Sequence, residues 1–172
     1  TQKGHVYMFG AGMYGKLGNG NISYHAISTP QIVPEIEHAI SISCHSNRTA
    51  VVTQDGHAYV FGEGRYGTLG DGITDAHSVS MPQRILGIQP VTSVSCGYIH
   101  TALVTRDGHV YTFGHGEELG KLGHGVLNSQ LVSIPRLVFG IEHVISVSCG
   151  FDNTVFLTKT ITPRFPFNEN IL

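Results

Sequence analysis

The sequence contains no tryptophan, and only 13% of its 172 residues carry a charge, about half the share usual for a globular protein. Its formal net charge is −2, and no Lys or Arg has another beside it. A protein that grips DNA through its phosphates needs a basic stripe, so direct nucleic-acid binding is not expected. Apolar runs fall far short of the roughly 20 residues of a membrane-spanning helix, and the N-terminus lacks a signal-peptide pattern. The chain opens on Thr1 and not on Met, which reads as a piece of a longer polypeptide, so a missing address says little. Cysteine is scarce: Cys44, Cys96 and Cys149 are odd in number and far apart. That suits free thiols in a reducing compartment and predicts a cytoplasmic or nuclear protein.

Glycine, by contrast, is plentiful at 22 residues, and its clusters recur in phase. Gly4-His5-Val6-Tyr7 returns as Gly56-His57-Ala58-Tyr59 and as Gly108-His109-Val110-Tyr111, at intervals of 52 and 52 residues. Phe9-Gly10, Phe61-Gly62 and Phe113-Gly114 keep the same step. Pro30, Pro82 and Pro135 do so too, as do the three cysteines, with one extra residue near Glu117-Glu118-Leu119 in the last unit. Self-similarity of this kind marks a repeat architecture. The units cover about 3–54, 55–106 and 107–159, and a non-repeat tail follows from 160 to 172.

Each unit alternates apolar and small polar residues over short stretches. Residues 5–9, 31–33, 39–44 and 49–53 predict strands. A Gly-rich turn and a polar loop ending at Pro30 fall between the first two. Asp55-Gly56 and Asp107-Gly108 are hairpin signals. No long stretch follows a 3.6-residue period, so helix should be scarce. Four short strands in roughly 50 residues make one propeller blade, whereas β-solenoid coils are shorter. The fold class predicted is all-β, with propeller blades of short antiparallel strands.

The combined pattern resembles the regulator-of-chromosome-condensation repeat. It consists of Gly-His-Val-Tyr-x-Phe-Gly, then Gly-Lys-Leu-Gly-x-Gly, Pro, and Ser-x-Ser-Cys-Gly followed by Thr-Ala-Leu-Val-Thr. The match is best over Cys96 to Thr105 and spans roughly residues 3–159. Kelch repeats are of similar length, but their Gly-Gly doublet and Trp are missing here. The family usually carries Trp where this chain has Phe9, Phe61 and Phe113. Its last-strand His survives only as His100, with Arg48 and Asn153 in the other two units. Members normally close a ring of seven blades, so the resemblance implies a partial propeller. Either further repeats or assembly of copies would then cover the sticky faces of the end blades.

Residues repeated in phase build the scaffold. His5, His57 and His109 lie at equivalent positions, about a sheet spacing of 10 Å apart by the packing distance of sheets, too far for one metal ion. They read as turn residues, and the cysteines as buried structural thiols. Glu117 and Glu118 read as a solvated loop, since sequence neighbours do not converge on a substrate and no nucleophile stands near. No catalytic residue, metal or cofactor is expected. Specificity should reside where the repeats differ, in the turns after each cysteine: residues 45–48, 97–100 and 150–153. In the family's exchange factor for the small GTPase Ran, Asp and His residues of this turn engage the GTPase. Carried over by motif position, the resemblance implies His100 and Asp152 as partner contacts, with Arg48 at the divergent slot. Tyr98 and Phe151 are candidate aromatic anchors. The function expected is a protein–protein interaction module. The alternative is a guanine-nucleotide exchange factor or regulator of a Ran, Rab or Rho type GTPase.

Overall fold

The structure is a computed structural model that describes residues 4–88, 90–116, 119–125 and 131–159. Glu117, Glu118 and the tail from 160 lie outside these residues. Twelve strands run through the described chain. They are β1 (Tyr7–Ala11), β2 (Ala26–Ile32), β3 (Ala39–His45), β4 (Arg48–Thr53), β5 (Ala58–Glu63) and β6 (Ser78–Arg84). The rest are β7 (Val91–Cys96), β8 (His100–Thr105), β9 (Val110–His115), β10 (Leu131–Leu137), β11 (Val144–Cys149) and β12 (Thr154–Thr158). Two 3-10 turns, Met13–Gly15 and Arg65–Gly67, lie between strands.

The sheets do not coincide with the sequence repeats. Strands β3-β4-β5-β6 and β7-β8-β9-β10 form two complete four-stranded antiparallel blades, whereas β1-β2 and β11-β12 form two-stranded halves. Each blade takes its two inner strands from one repeat and its two outer strands from the next. The link is the hairpin at Asp55-Gly56 or Asp107-Gly108. There His57 Nδ1 meets Asp55 at 2.7 Å and His109 Nδ1 meets Asp107 at 3.0 Å, so these histidines sit in turns.

The segments expected at 31–33 and 5–9 are corrected in extent. The former is the end of a seven-residue strand, β2, and the latter begins at Tyr7. Proline had suggested a loop boundary, yet Pro30, Pro82 and Pro135 lie inside β2, β6 and β10. All three strands are the outermost of their sheets, where a missing N–H costs no ladder bond.

Blades stack through apolar clusters. Ala50, Val52, Ala58 and Val60 of the first complete blade meet Val91, Val94, Leu103 and Phe113 of the second. Ala102, Val104 and Val110 then meet Val144 and Val147 of the last half-blade. Side-chain hydroxyls add a polar rung: Cys96 N–H donates to Ser43 Oγ and Cys149 N–H to Ser95 Oγ, both at 2.9 Å. The thiols of Cys96 and Cys149 point at the carbonyls of the same serines, at 3.6 and 3.5 Å. Burial raises both thiol pKa values, that of Cys149 to about 11. Cys44 breaks the pattern expected for it. It is exposed, because among the described residues no blade stands on that side of β3.

Candidate functional site

The turns β3–β4, β7–β8 and β11–β12 lie side by side. The Tyr98 and Phe151 rings stack with centroids 4.0 Å apart at 12°, and His45 sets its edge against Tyr98 at 6.3 Å. Tyr98 is 39% and Phe151 56% exposed. An aromatic pair stacked in this way gains about 1 kcal/mol beyond its buried area, yet both rings keep surface open to solvent. Asp152 stands beside them, and its carboxylate accepts from Lys121 Nζ at 3.0 Å. Lys121 is itself buried, so the acid is held in place from beneath.

A groove of about 250 Å³ continues from Tyr98 and Ile99 toward Asn47, Glu63, Arg65 and Tyr66. Asn47 is clamped at both ends. Its Oδ1 accepts from Lys16 Nζ at 2.9 Å, and its Nδ2 donates to Glu63 Oε2 at 3.2 Å. Tyr66 stacks on His115 at 5.3 Å, and Arg65 lies over Tyr66 at 5.6 Å. Neither Tyr66 nor His115 was legible as a surface residue. The signal available was the recurrence of Tyr14 as Tyr66 in the Gly-rich turns of the first two units.

Two of the expected partner contacts are elsewhere. Arg48 is 4% exposed and His100 is fully buried, so neither presents a side chain to a partner, and their expected role is corrected. Arg48 crosses to the next blade, where its Nη2 donates to the carbonyls of Gly97 and His100, both at 2.9 Å. His100 crosses in turn to the last half-blade, its Nε2 lying 2.9 Å from Thr154 Oγ1. Thr154 spends its one proton on the Lys121 carbonyl at 2.8 Å, so His100 is the donor. This position is an inter-blade clasp.

The clasp also explains the residue three places earlier. A Cβ at Gly97 would stand 2.1 Å from His100 Cε1, and one at Gly150 would stand 2.1 Å from Asn153 Oδ1. In the first unit Arg48 and His45 stand at the places of His100 and Gly97. Glycine with His or Asn is thus a linked choice.

Burial, reinforced by the charges of Lys121 and Arg48, lowers the His100 pKa from 6.5 to about 4. The folded state therefore prefers neutral imidazole. The associated stability is present above pH 6.5 and is lost as pH falls toward 4, at up to about 1.4 kcal/mol per pH unit. Urea unfolding at pH 7 and pH 5 should show this loss, and His100→Asn, which copies the residue of the last unit, should reduce it. An unchanged pH dependence in that variant would remove His100 as its source.

Among the described residues, no group of three or more His, Cys, Asp or Glu is placed to hold a metal ion. None of the described helices is long and apolar enough to cross a membrane.

Radially stacked four-stranded blades with an aromatic-bearing turn face define a β-propeller repeat protein. The sequence model of the regulator of chromosome condensation (RCC1) repeat matches residues 3–52, 55–104 and 107–157, and the chain belongs to that family. It is 32% identical over 168 residues to the mouse (Mus musculus) E3 ubiquitin-protein ligase HERC2, covering 91% of this chain and 3% of the relative. It is 42% identical over 127 residues to the human X-linked retinitis pigmentosa GTPase regulator, covering 71% of this chain and 12% of the relative. The chain thus spans a small part of both. Among solved structures, Prp20p from Saccharomyces cerevisiae superposes with a TM-score of 0.78 at 20% identity, over 88% of this chain and 39% of that one. That likeness is one of fold.

Proposed function

We propose that this chain is a protein-interaction module that holds a protein partner on the turn face centred on Tyr98 and Phe151, with Asp152 at the rim. The observation that carries the reading is the stacked aromatic pair, half open to solvent on turns fixed by the blades beneath. Exposed aromatics on a rigid support lose little entropy on binding and make effective anchors. The free thiols favour a cytosolic or nuclear setting, and the low content of basic residues disfavours nucleic acid as the partner. The module acts by binding, not by making or breaking bonds.

A second reading is regulation of a small GTPase, including nucleotide exchange. It is favoured by the similarity to a protein named a GTPase regulator and by the structural likeness to Prp20p, whose described binding properties include Gsp1p. Exchange needs only a surface that prefers the nucleotide-free state.

Titration calorimetry and nucleotide-release assays against Ran, Rab and Rho GTPases separate the two readings. Acceleration of release supports exchange, and binding without acceleration supports the plain module. In either case Tyr98→Ala with Phe151→Ala should weaken binding at least about 30-fold, equivalent to two modest hot-spot residues. Full affinity in that double variant would remove this face from the interaction.

A further inference from the structure

The loop between β5 and β6 holds an imidazole between two acceptors. His77 Nε2 lies 2.8 Å from Asp71 Oδ2, and its Nδ1 lies 2.9 Å from the Asp75 carbonyl oxygen. A carbonyl and an ionised carboxylate have no proton to give. A neutral imidazole carries one proton, so it would turn a lone pair against one of the two oxygens. Only the doubly protonated ring donates to both. The pair is shielded from solvent, the side chain of Asp71 being 7% exposed and that of His77 22%. Asp71 is fixed in turn, for its Oδ1 accepts from Ile73 N–H at 3.0 Å.

The ring rests on Gly64, where an added Cβ would run into its Cε1, Nε2 and Nδ1 atoms. Backbone bonds tie the same loop to the turn beneath. Gly64 N–H donates to the His77 carbonyl and Tyr66 N–H to the Thr74 carbonyl, both at 3.0 Å. That turn supplies Arg65 and Tyr66 to the groove beside Tyr98. Closure of the loop and placement of these two side chains are therefore mechanically joined.

The first unit supplies the contrast. Its aligned residues are Gly12, Asn19, Ser23 and His25. Asn19 keeps the local bond, accepting from Asn21 N–H at 3.1 Å, but its amide brings no charge. His25 is exposed, and a Cβ at Gly12 would meet the carbonyl oxygens of Ser23 and His25 where one at Gly64 meets a ring. Exchange of the carboxylate for an amide goes with an imidazole out of its seat. Glu63, Arg65, His115 and Arg136 stand on the elements packed against the turn, but the groups acting on the His77 ring are Asp71 and the Asp75 carbonyl. Burial opposes its charge, yet the bonds to Asp75 and Asp71 and the charge of Asp71 outweigh burial and raise the pKa above 6.5.

We propose that His77 is a proton-operated latch on the partner face. Its imidazolium, donating to Asp71 and Asp75 at once, closes residues 71–77 over the turn that presents Arg65 and Tyr66, and loss of the proton releases them. The consequence for binding rests on the turn-face reading given above. Because the folded state favours the charged ring, the latch is complete below pH 6.5 and is lost as pH rises through the folded-state pKa. This dependence is opposite in sign to that of His100, whose contribution is lost in acid.

NMR on the full chain, free of any partner, tests the latch, so its failure and that of the turn-face reading are seen separately. The His77 ring should titrate above 6.5. Protection of the Gly64 and Tyr66 amides against hydrogen exchange, corrected for the intrinsic rate, should fall about three- to tenfold between pH 5.5 and pH 8, the scale of one charge-assisted bond in a partly exposed pair. Asp71→Asn, which copies the first unit, should bring the His77 titration to 6.5 or below and flatten that dependence. Gly64→Ala should do the same by displacing the ring, since the φ of −98° at Gly64 suits alanine. Circular dichroism checks that the strands persist in both variants. A wild-type His77 that titrates at or below 6.5 overturns the proposal. So does amide protection that keeps its pH dependence in a folded Asp71→Asn or Gly64→Ala variant.

Discussion

Phe61→Ala and Phe113→Ala should each lower the free energy of unfolding by about 3–5 kcal/mol, the range for an aromatic truncated in a packed core. The same change at Phe9, which is exposed, should cost no more than about 0.5 kcal/mol. The three residues share one motif position, so propensity and local sequence are nearly constant across the comparison. Only the surroundings differ. Phe61 packs with Val6, Val33, Ile36 and Val51, and Phe113 packs with Val94, Leu103 and Leu122. Chemical denaturation of the three variants in parallel gives the comparison directly. Equal losses at all three sites would mean that the motif, not the neighbouring blade, sets the energy.

Arg48→Ala should cost about 3 kcal/mol. The guanidinium makes two charge-assisted hydrogen bonds to carbonyls of the next blade, and bonds of this kind are worth about 1.5–3 kcal/mol each when buried, with imperfect additivity. Its removal also leaves the Gly97 and His100 carbonyls without that donor. Because Arg48 helps to depress the His100 pKa, the variant should titrate His100 closer to 6.5, which an NMR titration of the imidazole would read. Arg48→Lys should rescue only part of the stability, since an ammonium lacks the planar fork that reaches both oxygens. A loss below about 0.5 kcal/mol, typical of surface positions, would show that Arg48 is not a clasp.

These two expectations mark where inference from residues alone ended. The period of 52 residues, the alternating strands and the Asp-Gly hairpins are local signals. Each was readable because strand and turn preferences act over a few neighbours. The placement of Tyr98 and Phe151 on one face followed from the same logic, since equivalent turns of stacked units must lie side by side. Prolines in the outermost strands were misread as loop ends, because edge position is a property of the sheet and not of the segment.

The roles of Arg48 and His100 were beyond sequence for a related reason. Whether a side chain in a turn faces solvent or reaches across to the next blade depends on a neighbour 49 to 54 positions away. The composition and spacing of this chain by themselves determined an all-β repeat with aromatic turns. Tertiary structure alone decided which turn residues are surface and which are clasps, and where the blades are cut relative to the repeats. The physical reason is that burial is set by what stacks against a residue. Phe9, Phe61 and Phe113 are identical in motif and differ only in whether a neighbouring blade covers them.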